Sequence, residues 1–558
     1  MKKATGVLAL ILMITLLLNA CASPYDSAKT DIFPANSNNS GNSNTQPSHS
    51  GNSGSADRNT VNNGSQSMAE GPRDEANSSS TSTYPHPDIE NFTSESYLTI
   101  NENEAVETKD ESMLTFSLKI DTAAYTNVSR YINSGNHPPR DAVRTEELIN
   151  YFTYDSQVTF EKDAPLGIYT ELGRSPFNKN SYTAFIRVRS QDIDRSELPP
   201  SNLTFLIDTS GSMNSYDKLP LLQEGFALLA ETLSEDDRVS IVTYAGNSAV
   251  VLDGVSGADT DRIKKAIYSL SAGGSTAGAD GIKTAYALAE KNYLRNGNNR
   301  VILATDGDFN VGISSTDELA RLVAEKRGND VYMSILGFGT GNIREDIMET
   351  LSKEGNGNYS YISDLSAARK VLVDELSVNL FTIADDVKAQ IEFNPVNVKS
   401  YRLVGYENRS LRNEDFVNDA KDAGEIGIGT DVVVMFELEL YGNTNGSEYK
   451  YGGGESAAPD FADELFEVRI RYKNPGENES RLITSPVFFD DISRSGSTDF
   501  GFACSVEAFG DYLRNSKYSE GISLQSIFEL AEDNLGRDSA SYRIEFLRLL
   551  ESYERIGG

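Results

Sequence analysis

The chain has 558 residues, room for several domains, and a formal net charge of -33. That balance disfavours a nucleic-acid partner, whose phosphates need lysine and arginine, and suits a well-hydrated surface. With no tryptophan, two cysteines (Cys21 and Cys504) and three histidines (His49, His86 and His137), a zinc site of histidines or a Ser-His-Asp triad has almost nothing to draw on.

The N-terminus reads "MKKATGVLALILMITLLLNAC". Lys2 and Lys3 form a basic region, and Val7 to Leu18 form an apolar stretch short for a membrane span. "LNAC" then resembles a bacterial lipobox, so residues 1–20 are expected to be a lipoprotein signal peptide and Cys21 the lipidated residue of the mature protein. Residues 21–91 are Ser-, Asn- and Gly-rich, with too little apolar content to bury a core, and are expected to be a disordered tether. Cys504 is left without a disulfide partner and is expected to be a buried small hydrophobe.

Residues 92–198 read as an α+β flanking domain. A strand with alternating Leu114, Phe116, Leu118 and Ile120 precedes helices near Ala123–Asn133 and Arg144–Phe152, then the strands "GIYTELGR" and "YTAFIRVRS". Over 199–380 strands and helices alternate: "LTFLID", "RVSIVTY", "AVVLD", "RVILATD", "VYMSILGFG" and "YSYIS" are strands separated by amphipathic segments. The near-continuous apolar character of "RVILATD" suits the centre of a parallel sheet, and the whole reads as a doubly wound α/β domain. Residues 381–495 return to strands, and 496–558 form a helical tail. The strands from about Gly167 to Ser190 and from about Val387 to Lys473 are expected to pair into one β-rich module with the α/β domain inserted in it.

Three loops at strand ends carry oxygen donors. "FLIDTSGSM" runs from a core strand into Asp208, Ser210 and Ser212; "GGSTAG" presents Thr276 ahead of a helix; "ATDGDFNVG" presents Asp306 after the strand Val301–Ala304. Hydroxyls and carboxylates converging at the carboxyl ends of doubly wound strands describe an all-oxygen site for Mg²⁺ or Mn²⁺. "DGDFNVG" is not an EF-hand loop, because its glycine is one position late and no glutamate closes it; Asp308 reads as a residue that orients the loop. "GGSTAGADGIKT" lacks the Gly-Lys pair of a phosphate loop, and "GGSTA" lacks the second glycine of a nucleophile elbow, so neither nucleotide binding nor serine hydrolysis is expected.

Together, in this order, "DTSGSM", "GGSTAG" and "TDGDFNVG" resemble a von Willebrand factor type A domain with a metal-ion-dependent adhesion site. The resemblance implies a Rossmann-like, mainly parallel sheet, with Ser210, Ser212 and Thr276 as metal ligands and Asp208 and Asp306 binding directly or through water. It also implies that the vacant metal position takes a partner protein's carboxylate, which is recognition rather than turnover. "FSLKIDTAAYTNVSRYINSGNHPPRDAVRTEELINYF" before the domain and "DDVKAQIEFNPVNVKSYRLVGYENRSLRNEDFVNDAKDAGEIGIG" after it are similar to bacterial type A lipoproteins whose C-terminal domain has no assigned role. The expectation is therefore a non-enzymatic binding protein, lipid-anchored on the extracytoplasmic face of a cell membrane. An adaptor or assembly factor of an envelope complex is the alternative, and an uncharacterised enzyme the third.

Overall fold

The computed structural model describes residues 95–118, 121–194, 197–274, 279–307, 316–340, 343–375, 380–421, 423–441 and 463–557. The leader, the tether, Cys21, Thr276 and Asp308 lie outside the described residues.

Ahead of the α/β domain come β1 (Val106–Glu107), β2 (Met113–Ser117), β3 (Thr159–Phe160), β4 (Leu166–Arg174) and β5 (Tyr182–Ser190). The domain contributes β6 (Ser201–Asp208), β7 (Arg238–Tyr244), β8 (Ser248–Ser256), β9 (Asn298–Thr305), β10 (Tyr332–Phe338) and β11 (Tyr359–Ile362). After it come β12 (Thr382–Phe393), β13 (Val398–Val404), β14 (Ser410–Leu411), β15 (Gly424–Gly427), β16 (Asp431–Leu440), β17 (Glu464–Lys473), β18 (Arg481–Phe488) and β19 (Ile492–Ser493).

The α/β domain is a sheet of order β11-β10-β9-β6-β7-β8, parallel except for β8, which runs antiparallel to β7 at the edge. β6 and β9 are buried at every position, as central strands covered on both faces must be. Successive residues serve opposite faces. Phe205 packs on Phe226 of helix Leu219–Ala230, with ring centroids 4.6 Å apart, while Leu206 joins the core beneath helices Ala279–Lys291 and Glu345–Glu354.

The flanking stretches interleave. β5 pairs with β16 from Asp431↔Arg189 to Leu438↔Tyr182, so strands before and after the α/β domain share a sheet and the domain is inserted between them. The expected single module is in fact two sheets. β12 and β17 leave that sheet and join β2 and β18 in a second one, where Ala389 opposes Phe116 and Ile391 opposes Leu114. Phe116, Ile186, Phe393, Phe436 and Val468 fill the common core between them.

The other face of the first sheet is covered by helices. Phe185 on β5 and Met435 on β16 pack against Phe502, Phe509 and Phe546 of the tail and Phe152 of the N-terminal stretch. β5 is consequently apolar on both faces, which explains the unbroken "AFI" in its middle. Asp499 fastens the seam. Its Oδ2 accepts hydrogen bonds at 2.7 Å from the Asp155 and Ser156 N–H groups and from the Ser156 hydroxyl, and its Oδ1 pairs with Arg543 at 2.8 Å. Burial pushes this carboxyl up, but Arg543 and Ser156 outweigh it and hold it below the usual range. Cys504 is buried in helix Thr498–Leu513, and desolvation raises its thiol far above reactive values.

Candidate functional site

β6 delivers Asp208 to the end of the sheet, where the chain must turn. The turn is made locally: the Ser210 N–H donates to Asp208 Oδ1 at 2.7 Å. Met213, fully buried, anchors the following 3₁₀ turn Gly211–Asn214 into the core. Ser210 Oγ and Ser212 Oγ then lie 2.9 Å apart, the first buried and the second exposed. A pair of hydroxyls stacked at the mouth of a buried carboxylate results.

Backbone hydrogen bonds stitch the second loop to this one. The Gly273 N–H donates to Thr209 O at 2.8 Å, and the Gly211 N–H donates to Gly274 O at 3.1 Å. Gly274 has φ +89°, a conformation that only glycine adopts without strain. "GGSTAG" therefore enters beside Ser210 and Ser212; Thr276 itself lies outside the described residues.

β9 runs beside β6 and ends one residue before Asp306, which is fully buried. Asp208 and Asp306 are near enough for each to oppose the other's charge. Burial first, and Asp306 second, push Asp208 up to about 6, against the pull of Ser210. Asp208 Oδ2 is buried with no hydrogen-bond partner among the described residues. An orphaned carboxylate oxygen costs desolvation energy that neither a hydrogen bond nor an ion returns, so the atom is poised to take a cation. Two carboxylates and a hydroxyl pair form a hard, oxygen-only donor set and fit Mg²⁺ or Mn²⁺. Among the described residues no three His, Cys, Asp or Glu side chains form a metal cluster. The donors here are half hydroxyl.

One charged residue of the site escaped the sequence reading. Lys218, just before helix Leu219–Ala230, places Nζ 2.8 Å from Asp306 Oδ2 and is only 7% exposed. Its signal was a lone cation beside "LPLL", where a solvated lysine has no reason to be buried.

A doubly wound sheet with Asp-x-Ser-x-Ser after its first strand and a buried aspartate after its fourth defines a von Willebrand factor type A domain. Residues 202–375 match the family model of that description; 91–184 match one described as von Willebrand factor, and 378–556 match "Uncharacterized protein YfbK, C-terminal". The chain is 42% identical over 463 residues to "Uncharacterized protein YfbK" of Escherichia coli (strain K12), covering 82% of this chain and 80% of that one, and it belongs to the YfbK family. It is also 23% identical to "Uncharacterized protein sll0103" of Synechocystis sp., over 56% of this chain and 70% of that one. Among solved structures, a von Willebrand factor type A protein from Catenulispora acidiphila aligns with 70% of this chain and 91% of its own, at 13% identity and a TM-score of 0.38. Domains of this type commonly bind a divalent metal and serve protein interaction or adhesion.

Proposed function

We propose that the protein is a non-enzymatic, membrane-anchored surface lipoprotein that binds a protein partner through Mg²⁺ or Mn²⁺. Asp208, Ser210, Ser212, Thr276 and Asp306 hold the ion, and an acidic side chain of the partner completes its coordination. The observation that carries this reading is the buried, unpartnered Asp208 Oδ2 beside the Ser210–Ser212 hydroxyl pair. Lipid at Cys21 attaches the protein to the extracytoplasmic face of the membrane, and residues 21–91 give the folded part reach.

Mg²⁺ at a hundred times its Kd is expected to stabilise the protein by about 2.7 kcal/mol, read as a rise in Tm that EDTA reverses. Asp208→Ala removes the response; a variant that still responds in full rules out this site. For the anchor, Cys21→Ala is expected to move the protein from the membrane fraction to the soluble fraction of its host cell. Retention of that variant on washed membranes would defeat lipid attachment.

A further inference from the structure

Lys218 stands in an unusual place for a residue of a cation site. Its stem is threaded over Gly339, where an added Cβ would lie 2.3 Å from Lys218 Cε and 2.4 Å from Cγ. Gly339 has φ +76° and follows β10 directly; its carbonyl is held by the Tyr361 hydroxyl at 2.7 Å. The glycine therefore serves two purposes: it makes the turn, and it leaves a channel for an aliphatic stem. The ammonium emerges at Asp306 Oδ2, buried, on the carboxylate that faces Asp208.

We propose that Lys218 is a built-in counter-charge that loosens the site's hold on the bare metal and tightens the loaded site's hold on an acidic ligand, a role that rests on the metal reading of this site. Of the charged side chains described there, two are carboxylates and one is this ammonium. A divalent ion entering beside Asp208 meets a fixed positive charge in a poorly screened setting, so the ion alone is held more weakly than two carboxylates would hold it. Once loaded, the site carries one positive charge in excess, which a ligand carboxylate neutralises. Metal and carboxylate then strengthen each other's binding, and by linkage each does so by the same factor. Without the ammonium the loaded site would be neutral and would discriminate weakly between a carboxylate and water. Lys218 thus trades affinity for the bare ion against selectivity for an acidic partner.

The test uses the purified folded protein with Mn²⁺ as the ion and acetate as the carboxylate, at constant ionic strength. Free Mn²⁺ is followed by electron paramagnetic resonance, corrected for acetate's own hold on the ion. In the wild type, acetate is expected to tighten Mn²⁺ binding several-fold. Lys218→Met keeps the stem over Gly339 and removes the charge; it is expected to bind Mn²⁺ about tenfold more tightly without acetate and, at an acetate concentration that only half-saturates the loaded wild type, to lose most of the acetate gain. Lys218→Arg keeps the wild-type pattern. Gly339→Ala, which crowds the stem out of its channel, is expected to shift both quantities in the direction of Lys218→Met. Equal Mn²⁺ affinities in wild type and Lys218→Met overturn the role of Lys218 and leave the metal site standing. So does a wild type whose Mn²⁺ affinity ignores acetate, a measurement that needs no variant to fold. A wild type that binds no Mn²⁺ at all defeats the metal site itself and this inference with it.

Discussion

Phe546→Ala is expected to destabilise the whole folded body by about 3–5 kcal/mol, in the range for emptying a large aromatic site in a packed core. Phe546 is fully buried in the last helix, Tyr542–Arg555. Its ring meets Phe152, Phe502 and Phe509 edge-on at centroid separations of 5.7, 5.7 and 5.6 Å. Phe152 comes from the N-terminal stretch and Phe502 and Phe509 from helix Thr498–Leu513, so one ring joins segments nearly four hundred residues apart in the chain. The same cluster reaches Phe185 of β5 and Met435 of β16. A cavity at Phe546 therefore weakens the support of the sheet from which the type A domain is inserted. Denaturant unfolding followed by near-ultraviolet and far-ultraviolet signals should shift as a unit. A tail that unfolds early while the remainder keeps its midpoint, or a loss below about 1 kcal/mol, would show that the tail is an appendage.

How much of this was legible in the residues depended on whether the determinants were local. The type A domain was readable because its strands are short apolar runs and its ligand loops are contiguous motifs: "RVILAT" announces a central parallel strand, and Asp208, Ser210 and Ser212 lie within five residues. β8 proved longer than "AVVLD", because register shifts opposite Ile241 and Val242 let the edge strand continue to Ser256. The division of the flanking strands between two sheets was not readable. β12 and β16 both mix apolar and polar residues, and nothing in either says that Ile391 will oppose Leu114 while Val434 opposes Ile186. Burial of the tail could have been inferred from "FGFACSVEAF", which is apolar or small around nearly the whole helix. The Lys218–Asp306 pair was hidden for a topological reason. The residues are 88 positions apart and meet only because β9 runs beside β6.

The protein should lose stability as pH rises from about 4 to 7, and Glu345→Gln should remove a part of that loss. Glu345 opens helix Glu345–Glu354 of the type A domain and is 5% exposed. It faces Arg144 at 3.6 Å, and the same guanidinium is shared with Glu147 at 3.5 Å and Glu349 at 3.4 Å. Arg409 pairs with Asp121 at 2.6 Å and with Glu349 at 3.3 Å, and Tyr359 of β11 lies within the field of Glu345. The carboxylates thus outnumber the guanidiniums where the flanking module grips the domain. Burial raises Glu345 to about 7; Arg144 pulls it down, while Glu349 and Asp121 push it up. Burial also raises Glu147 and Glu146. A carboxyl whose folded value lies above its unfolded value binds its proton more tightly in the native state. Its contribution is complete below about 4.3, the unfolded value, and vanishes as pH climbs through about 7, a difference on the order of 3 kcal/mol. Asp511, raised by burial to about 6 against the pull of Arg402, adds loss of the same sign at lower pH. Glu345→Gln keeps the shape and cannot ionise, so its unfolding free energy should be flatter between pH 5 and 7 than that of the wild type. An identical slope would mean that the Glu345 carboxyl is already ionised below pH 5. Because the titrating residue belongs to the type A domain and its counter-ions to the flanking module, the lost energy is drawn from the contact that holds the two together.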